Sequence, residues 1–454
     1  MELDIWLADR LVARTVSRDR GRRVRIVYDD AIGAQYESET ALLSCSLPIP
    51  GPSDPAKARA FLEGLLPEGR ALETAAAQVR SVRLINGAPE TAADTVALLA
   101  EYGRECAGAV VIAPAGSGAP TGGRYEQLDD QALSAIVRDL PQHPIGTDLA
   151  RDRRMSLAGA QPKFLLARLD GRWCEAVGGA ASTHIIKPTT AWAHSAQNEA
   201  LVIGLARSCG LTDHDVWTEQ MGDSVVLVAE RFDRRTDGTS IVRMHQEDMC
   251  QALSIRPIEK YQIGRPSGRM ARLLREFADS PRVEVASLFR QVAFRAAVGD
   301  EDGHGKNYSL LLDDGRVRLA PLYDSLCTLI YPELSGRMGT PIGAQVSLAK
   351  VDRAALLDEA RAMGLSASEA DNELDELAAA LRSGIERLYD SVVGGWPSDT
   401  VVETVLARVD RLESGRPLGG AATSALPVPA RSTTRPRGDS RSSGDAIRRP
   451  TGNA

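Results

Sequence analysis

The sequence has no run approaching about 18 consecutive apolar residues, so it offers no membrane-spanning helix. Its first residues, Met1-Glu-Leu-Asp-Ile-Trp-Leu7, carry acids where a secretory signal would carry bases. The expected location is the cytoplasm, with no membrane contact. Cys45, Cys106, Cys174, Cys209, Cys250 and Cys327 include no CxxC spacing, which excludes the usual zinc and redox motifs and predicts buried free thiols in a reducing compartment. The six histidines include no HExxH pair, so any metal is expected to arrive with a substrate. There is no repeat at solenoid periods and no recognisable helix-turn-helix. Lysine is scarce: Lys57, Lys163, Lys187, Lys260, Lys306 and Lys350 stand against 48 arginines, so a lysine inside a motif carries unusual weight.

With 454 residues, 43% hydrophobic and 25% charged, the chain has the profile of a globular protein of about three packing units. Disordered, collagen-like and coiled-coil readings are excluded. The net charge of -7 divides unevenly: from Ser414 onward seven arginines face two aspartates, giving +5 there and about -12 elsewhere. An acidic body is a poor grip for nucleic acid on its own. Residues 1–147 read as a mixed N-terminal subdomain, with period-two segments at Leu3–Leu7 and Val24–Tyr28, a helix near Ala56–Leu65, and nothing catalytic. Proline and glycine cluster at 113–123 and 141–146, which places a boundary near Thr147. A small-lobe-like core over 148–235 and a helical lobe over 236–413 follow. Residues 414–454 lack large apolar side chains and are expected to be disordered.

The informative block runs from Ser156 to Asp324. Ser156-Leu-Ala158-Gly159-Ala160-Gln161-Pro-Lys163 is a small-residue loop entering an apolar strand, which suits close approach of backbone amides to an anion or a plain turn. Asp170-Gly171 closes a hairpin onto Trp173–Val177. Thr183-His-Ile-Ile-Lys187 is a short strand whose lysine suits a phosphate or an edge position. In the helix predicted over Gln197–Ser208, Glu199, Val202, Ile203 and Ala206 share one stripe, so Glu199 faces inward and calls for a cation, Lys187 being nearest in order. An acid serving the helix dipole is the bland alternative. Asp223–Glu230 reads as a buried strand running into the connector Glu230-Arg231-Phe232-Asp233.

Asp302-Gly-His304-Gly-Lys306-Asn307 has the D-x-x-x-x-N spacing in which a carboxylate accepts a hydroxyl proton and an amide oxygen holds Mg²⁺. A hairpin with its turn at Asp313-Asp314-Gly315 then delivers Leu322-Tyr323-Asp324, whose carboxylate falls at the metal-binding place of a kinase. Each of Asp302, Asn307 and Asp324 alone also fits loop capping. Together, after a loop, hairpin, lysine strand, helix and connector, they follow the order of a kinase.

On these segments, and on Gln246-Glu-Asp-Met-Cys-Gln251, Ser44-Cys-Ser-Leu-Pro, Leu65-Leu-Pro67, Glu101-Tyr-Gly-Arg and Gly108-Ala-Val, the chain resembles the HipA family of bacterial serine/threonine kinase toxins across residues 1 to about 410. The resemblance implies an α+β, two-lobed protein-kinase-like fold with a mixed N-terminal subdomain, a mostly helical C-terminal lobe and a disordered tail. It implies ATP and Mg²⁺ as cofactors, Asp302 as base with Lys306 and Asn307 in the catalytic set, and Asn307 with Asp324 on the metal. Nucleotide contacts are implied for Ala158, Gly159, Ala160, Gln161, Lys163, Lys187 and His304, and for Glu230, Arg231 and Phe232 as adenine hinge. Ser156 corresponds to the autophosphorylated serine whose modification expels the loop, and Arg151, Arg153 and Arg154 beside it suit a phosphoserine. A serine capping its loop is the plainer account of Ser156, and Asp248 is accounted for as a helix N-cap. Implied partners are a small helix-turn-helix antitoxin, operator DNA reached through it, and a protein substrate such as an aminoacyl-tRNA synthetase. Two alternatives stay open: a small-molecule kinase of related fold, and a catalytically silent nucleotide-binding corepressor scaffold. The resemblance does not cover residues 414–454.

Overall fold

The period-two segments expected at Leu3–Leu7 and Val24–Tyr28 form β1 (Leu3–Leu7) and β3 (Arg23–Tyr28), and a strand not singled out in the sequence, β2 (Arg10–Arg18), lies between them. In the computed structural model of the chain, residues 1–421 are described, except 8, 19–22, 119–122, 141–154, 190–191, 238–239, 335 and 393–397. Four helices follow, α1 (Asp30–Gln35), α2 (Pro55–Gly64), α3 (Gly69–Gln78) and α4 (Ala92–Tyr102), with the small β4 (Leu84–Ile85) and β5 (Ala88–Pro89) hairpin before the last. Proline at the first turn of α2 and a Thr91–Asp94 capping box on α4 fix where these helices start. β6 (Val110–Pro114) returns to complete an antiparallel sheet in the order β3-β2-β1-β6. Phe61, Leu62, Val96 and Leu99 pack on Leu3, Ile5 and Ile26 to form its core.

A second sheet holds β7 (Arg124–Gln127), β8 (Phe164–Leu169), β9 (Arg172–Val177), β10 (His184–Pro188), β11 (Val216–Met221) and β12 (Ser224–Glu230), in the order β11-β12-β10-β8-β9-β7. Its helices are α5 (Asp130–Asp139) and α6 (Ser195–Ser208). Asp170 and Gly171 both take positive φ, 49° and 76°, and turn the β8–β9 hairpin as expected. Pleating divides the side chains between two faces. Phe164, Leu166 and Ile186 pack with Leu133, Ile136 and Val137 of α5, whereas Leu165 and Ile185 face Met155 and Leu157. Lys187 shares the parity of Ile185, so β10 carries it on the face of the Met155–Leu157 loop. β7 and α5 thus belong to this layer. The change of layer falls between β6 and β7, ahead of the boundary expected near 147, which itself lies outside the described residues.

The C-terminal lobe contains a β13 (Arg234–Asp237) and β14 (Ser240–Arg243) hairpin, then β15 (His245–Asp248), α7 (Met249–Ala252), α8 (Arg269–Phe277) and α9 (Pro281–Val298). β16 (Ser309–Asp313) and β17 (Arg316–Leu319) join β15 in a three-stranded sheet, and β18 (Arg337–Ile342) pairs with β19 (Gln345–Ser347). α10 (Arg353–Met363), α11 (Ala367–Val392) and α12 (Ser398–Glu413) close the lobe. α9 is its axis: Leu288, Phe289, Val292, Ala293, Phe294 and Ala297 are buried around its circumference, and Gly299 ends it at φ 83°. The chain leaves that cap directly into residues 300–307.

Residues past 413 still belong to the body. Leu418 is fully buried, its N–H donates to Val351 O at 2.7 Å, and Gly419 N donates to Ala349 O. Residues 414–419 therefore do not form part of a tail, and the rest of the expected tail, from 422 on, lies outside the described residues. All six cysteines are buried and free, as expected. Among the described residues no helix is long and apolar enough to cross a membrane.

Candidate active site

The lysine strand and the inward carboxylate meet as predicted. Lys187 Nζ donates to Glu199 Oε1 at 2.7 Å and to Asp324 Oδ1 at 2.5 Å, with 8% of the lysine side chain exposed. Burial alone would discharge an ammonium, but two carboxylates outweigh it and hold Lys187 above its usual range. Asp324 is 43% exposed, and despite desolvation Lys187 and Lys163 keep its carboxyl well below the carboxylate range. Glu199 is pushed up by burial, only partly countered by Lys187. Asp324 adopts φ 51°, the left-handed region rare for a side chain that is not glycine, so the backbone is bent to aim it at the lysine.

The loop after α9 is held from inside. Asn307 Nδ2 donates to Asp302 O at 2.8 Å, closing the loop on itself. Arg295, fully enclosed, pairs with Asp300 and donates to three carbonyls: Tyr323 O at 2.7 Å, Asp324 O at 3.1 Å and Asn307 O at 3.1 Å. One guanidinium thus ties the Asp302–Asn307 loop to the Tyr323–Asp324 segment. A Cβ at Gly339 would sit 2.9 Å from His304 N, so β18 can back this loop only as glycine. The Asp302 side chain reaches solvent, yet the loops packed around its carboxyl partly desolvate it and, with the Asp300 charge, push it up to about 6, a value suited to exchanging a proton near neutral pH. With Asn307 Nδ2 and Asp324 Oδ1 engaged, Asn307 Oδ1 and Asp324 Oδ2 are the oxygens available to a hard cation. Two protein oxygens fit Mg²⁺, which keeps most of its shell for water and phosphate. No cluster of three or more His, Cys, Asp or Glu ligands exists among the described residues.

The small-residue loop also takes shape. Gly159 has φ 109°, and a Cβ there would fall 2.3 Å from Lys163 Nζ. That ammonium donates to Ala158 O at 2.8 Å and is lowered to about 8 by burial and by Lys187. Gly159 O accepts from Glu68 N at 3.1 Å, and Ser156 Oγ, fully buried, donates to Leu65 O at 2.6 Å. The turn between α2 and α3 therefore supports the loop, although nothing catalytic was expected in residues 1–147.

Comparison with known proteins agrees with this architecture. The HipA-like C-terminal domain model matches residues 155–385, and the HipA N-terminal domain model matches residues 3–113. The chain belongs to the HipA family. It is 36% identical over 363 residues to the kinase-named protein Y4mE of Sinorhizobium fredii, covering 77% of this chain and 83% of that one. It is 27% identical over 314 residues to the serine/threonine-protein kinase toxin HipA of Shewanella oneidensis, covering 66% and 70%. The structure of HipA from Shewanella oneidensis MR-1, solved with HipB and operator DNA, shares the fold at TM-score 0.76 and 22% identity, over 91% of this chain and 97% of that one.

Within this HipA-family fold, some expected site residues are placed otherwise than the motifs suggested. Lys306 is buried, its ammonium donating to Asp248 Oδ2 at 2.5 Å and Gly64 O at 3.3 Å, so it anchors the loop instead of facing a substrate. Asp248 caps α7 as expected and holds Lys306 as well. The Arg231 guanidinium is committed to Glu105, Asp233, Ser182 Oγ and Cys106 O, which leaves only its backbone for a hinge role. Its N–H already donates to Thr183 O. The Glu230 carboxylate accepts from Asp215 N. The half-buried Phe232 ring lies 5.1 Å from the Tyr323 ring, centroid to centroid, and is the apolar side chain of the connector expected to act as a hinge. His304 is buried and kept neutral, lowered to about 3 by burial and Lys260. Ala160 is exposed and Gln161 half-buried on the loop. Arg151, Arg153 and Arg154 lie outside the described residues. Arg295 was missed; the signal was there, one charged residue in the otherwise apolar Val292–Val298.

Proposed function

We propose that the protein is an ATP-dependent serine/threonine protein kinase acting as the toxin of a toxin-antitoxin pair. The observation that carries this reading is the union, through Arg295, of the Asp302–Asn307 loop with an Asp324 already paired to Lys187 and Glu199. Lys187 orients the phosphates, Asp302 receives the acceptor hydroxyl proton, and the Ala158–Gln161 loop covers the nucleotide while Phe232 meets its base. Mg²⁺ held by Asn307 and Asp324 neutralises phosphate charge when bound. Ser156 is the self-modification site: its burial and its bond to Leu65 O mean the loop must leave its seat for the hydroxyl to react. A phosphate of about -1.5 to -2 charge cannot return to that apolar, carbonyl-lined place. Phosphorylation thereby disables the loop. By kinship with the family, a small DNA-binding antitoxin is the partner, operator DNA is reached through it, and the acceptor is a translation component such as an aminoacyl-tRNA synthetase.

The test is incubation of wild-type protein and an Asp302→Ala variant with γ-labelled ATP and Mg²⁺, followed by peptide mapping. Label on Ser156 in the wild type and none in the variant is expected. Tight ATP binding without label in dephosphorylated wild type would overturn the protein-kinase reading in favour of a small-molecule kinase or a silent scaffold.

A further inference from the structure

The turn Pro257–Gln262 belongs to no motif, yet it reaches the base. Tyr261 donates its hydroxyl to Asp302 Oδ1 at 2.8 Å. Its ring stands edge-on to His304 at 5.1 Å, and Lys260 Nζ lies 5.5 Å from the ring centroid. Lys260 in turn pairs with Glu68 Oε2 at 2.9 Å, and Arg256 pairs with Glu63 Oε2 at 2.8 Å. Both acids come from α2 and the turn after it. The phenol is therefore held from two directions, by the catalytic loop's own histidine and by the N-terminal unit.

Asp302 is exposed, and an exposed carboxylate samples several rotamers unless something fixes it. A proton acceptor contributes fully only when oriented, which is why such bases are commonly held by a third group. We infer that Tyr261 is a positioning residue for Asp302, set in place by the N-terminal unit through Lys260 and Glu68. This inference rests on the kinase reading. With Oδ1 engaged by the phenol, Oδ2 is presented to the acceptor. In transfer, the acceptor oxygen bonds to the γ-phosphorus and the bond from that phosphorus to the β–γ bridging oxygen breaks. ADP leaves with the electron pair, and the hydroxyl proton passes to Asp302 Oδ2. Tyr261 keeps its proton throughout. At 56% exposure, its loss of a hydroxyl should leave folding intact.

The experiment uses the full chain with γ-labelled ATP and Mg²⁺, reading the maximal self-phosphorylation rate and the half-saturating ATP concentration. Wild type, Tyr261→Phe, Asp302→Asn, their double variant and Glu68→Gln are compared. Tyr261→Phe should lower the maximal rate roughly tenfold without moving the ATP requirement, and Glu68→Gln should lower it by less. In the Asp302→Asn background Tyr261→Phe should cost nothing further, because its effect runs through that carboxylate. An unchanged or faster Tyr261→Phe enzyme, or an equal further loss in the Asp302→Asn background, overturns the positioning role. Full activity in Asp302→Asn removes the base itself, and the inference falls with it.

Discussion

Lys187 is the only described ammonium gripped by both Glu199 and Asp324, and the two partners are not equivalent. Asp324 is partly open to water, whereas Glu199 is buried and depends on the lysine for compensation. Lys187→Met should therefore abolish phosphorylation and also destabilise the protein by about 3 kcal/mol, the cost of leaving one buried charge without its partner. The two effects separate in Lys187→Met/Glu199→Leu, where apolar packing replaces the pair. Urea unfolding should show most of the stability restored while labelling stays absent. Restored labelling in the double variant would remove Lys187 from the phosphate site.

At the scale of elements, a buried charge cluster fastens the N-terminal sheet to the connector that follows β12. Glu105, between α4 and β6, receives Arg231 at 3.0 Å, Arg234 at 2.9 Å and Arg243 at 2.5 Å, and Asp233 bridges the first two. Desolvation works to raise Glu105, but Arg234, Arg243 and Arg231 outweigh it and set the carboxyl at about 2, against 4.5 unperturbed. A depressed folded-state value means the stabilisation is complete above about pH 4.5 and is lost as pH falls from there toward 2. Urea midpoints of wild type and Glu105→Gln should differ by a constant amount above that window and converge within it. A gap that persists to pH 2 would show that the cluster does not act through this carboxylate's charge. The same cluster shows what was legible in the sequence. Strand period, the Asp170-Gly171 turn and the stripe carrying Glu199 are local, so β8–β10, α6 and the Lys187–Glu199 pair could be read directly. Glu105 with Arg231, Gly64 with Lys306, and Tyr261 with Asp302 are separated by 41 to 242 positions. No periodicity links them, so Arg231 and Lys306 looked like ligand-facing motif residues when their charges serve the fold.

For the whole molecule, the question is where the folded body ends. Composition changes at Ser414, where large apolar side chains become rare, and a disordered segment was expected to start there. Leu418 is the exception that decides the matter, because one leucine with a buried side chain and an N–H on Val351 O is enough to retain a short segment against the lobe. Arg408 of α12 adds to this closure by donating from its buried guanidinium to Ala296 O, at the end of the helix that leads to the Asp302–Asn307 loop, and to Gly419 O. Truncation after Ala421 should leave both unfolding midpoint and labelling rate at wild-type values. Truncation after Glu413 removes the Leu418 side chain and uncovers Arg408, and should cost about 2 to 5 kcal/mol, as emptying a buried leucine site does. Because that loss falls beneath Ala296, one turn before Asp300, it should also slow labelling. Equal behaviour of the two truncations would place residues 414–421 outside the cooperative unit.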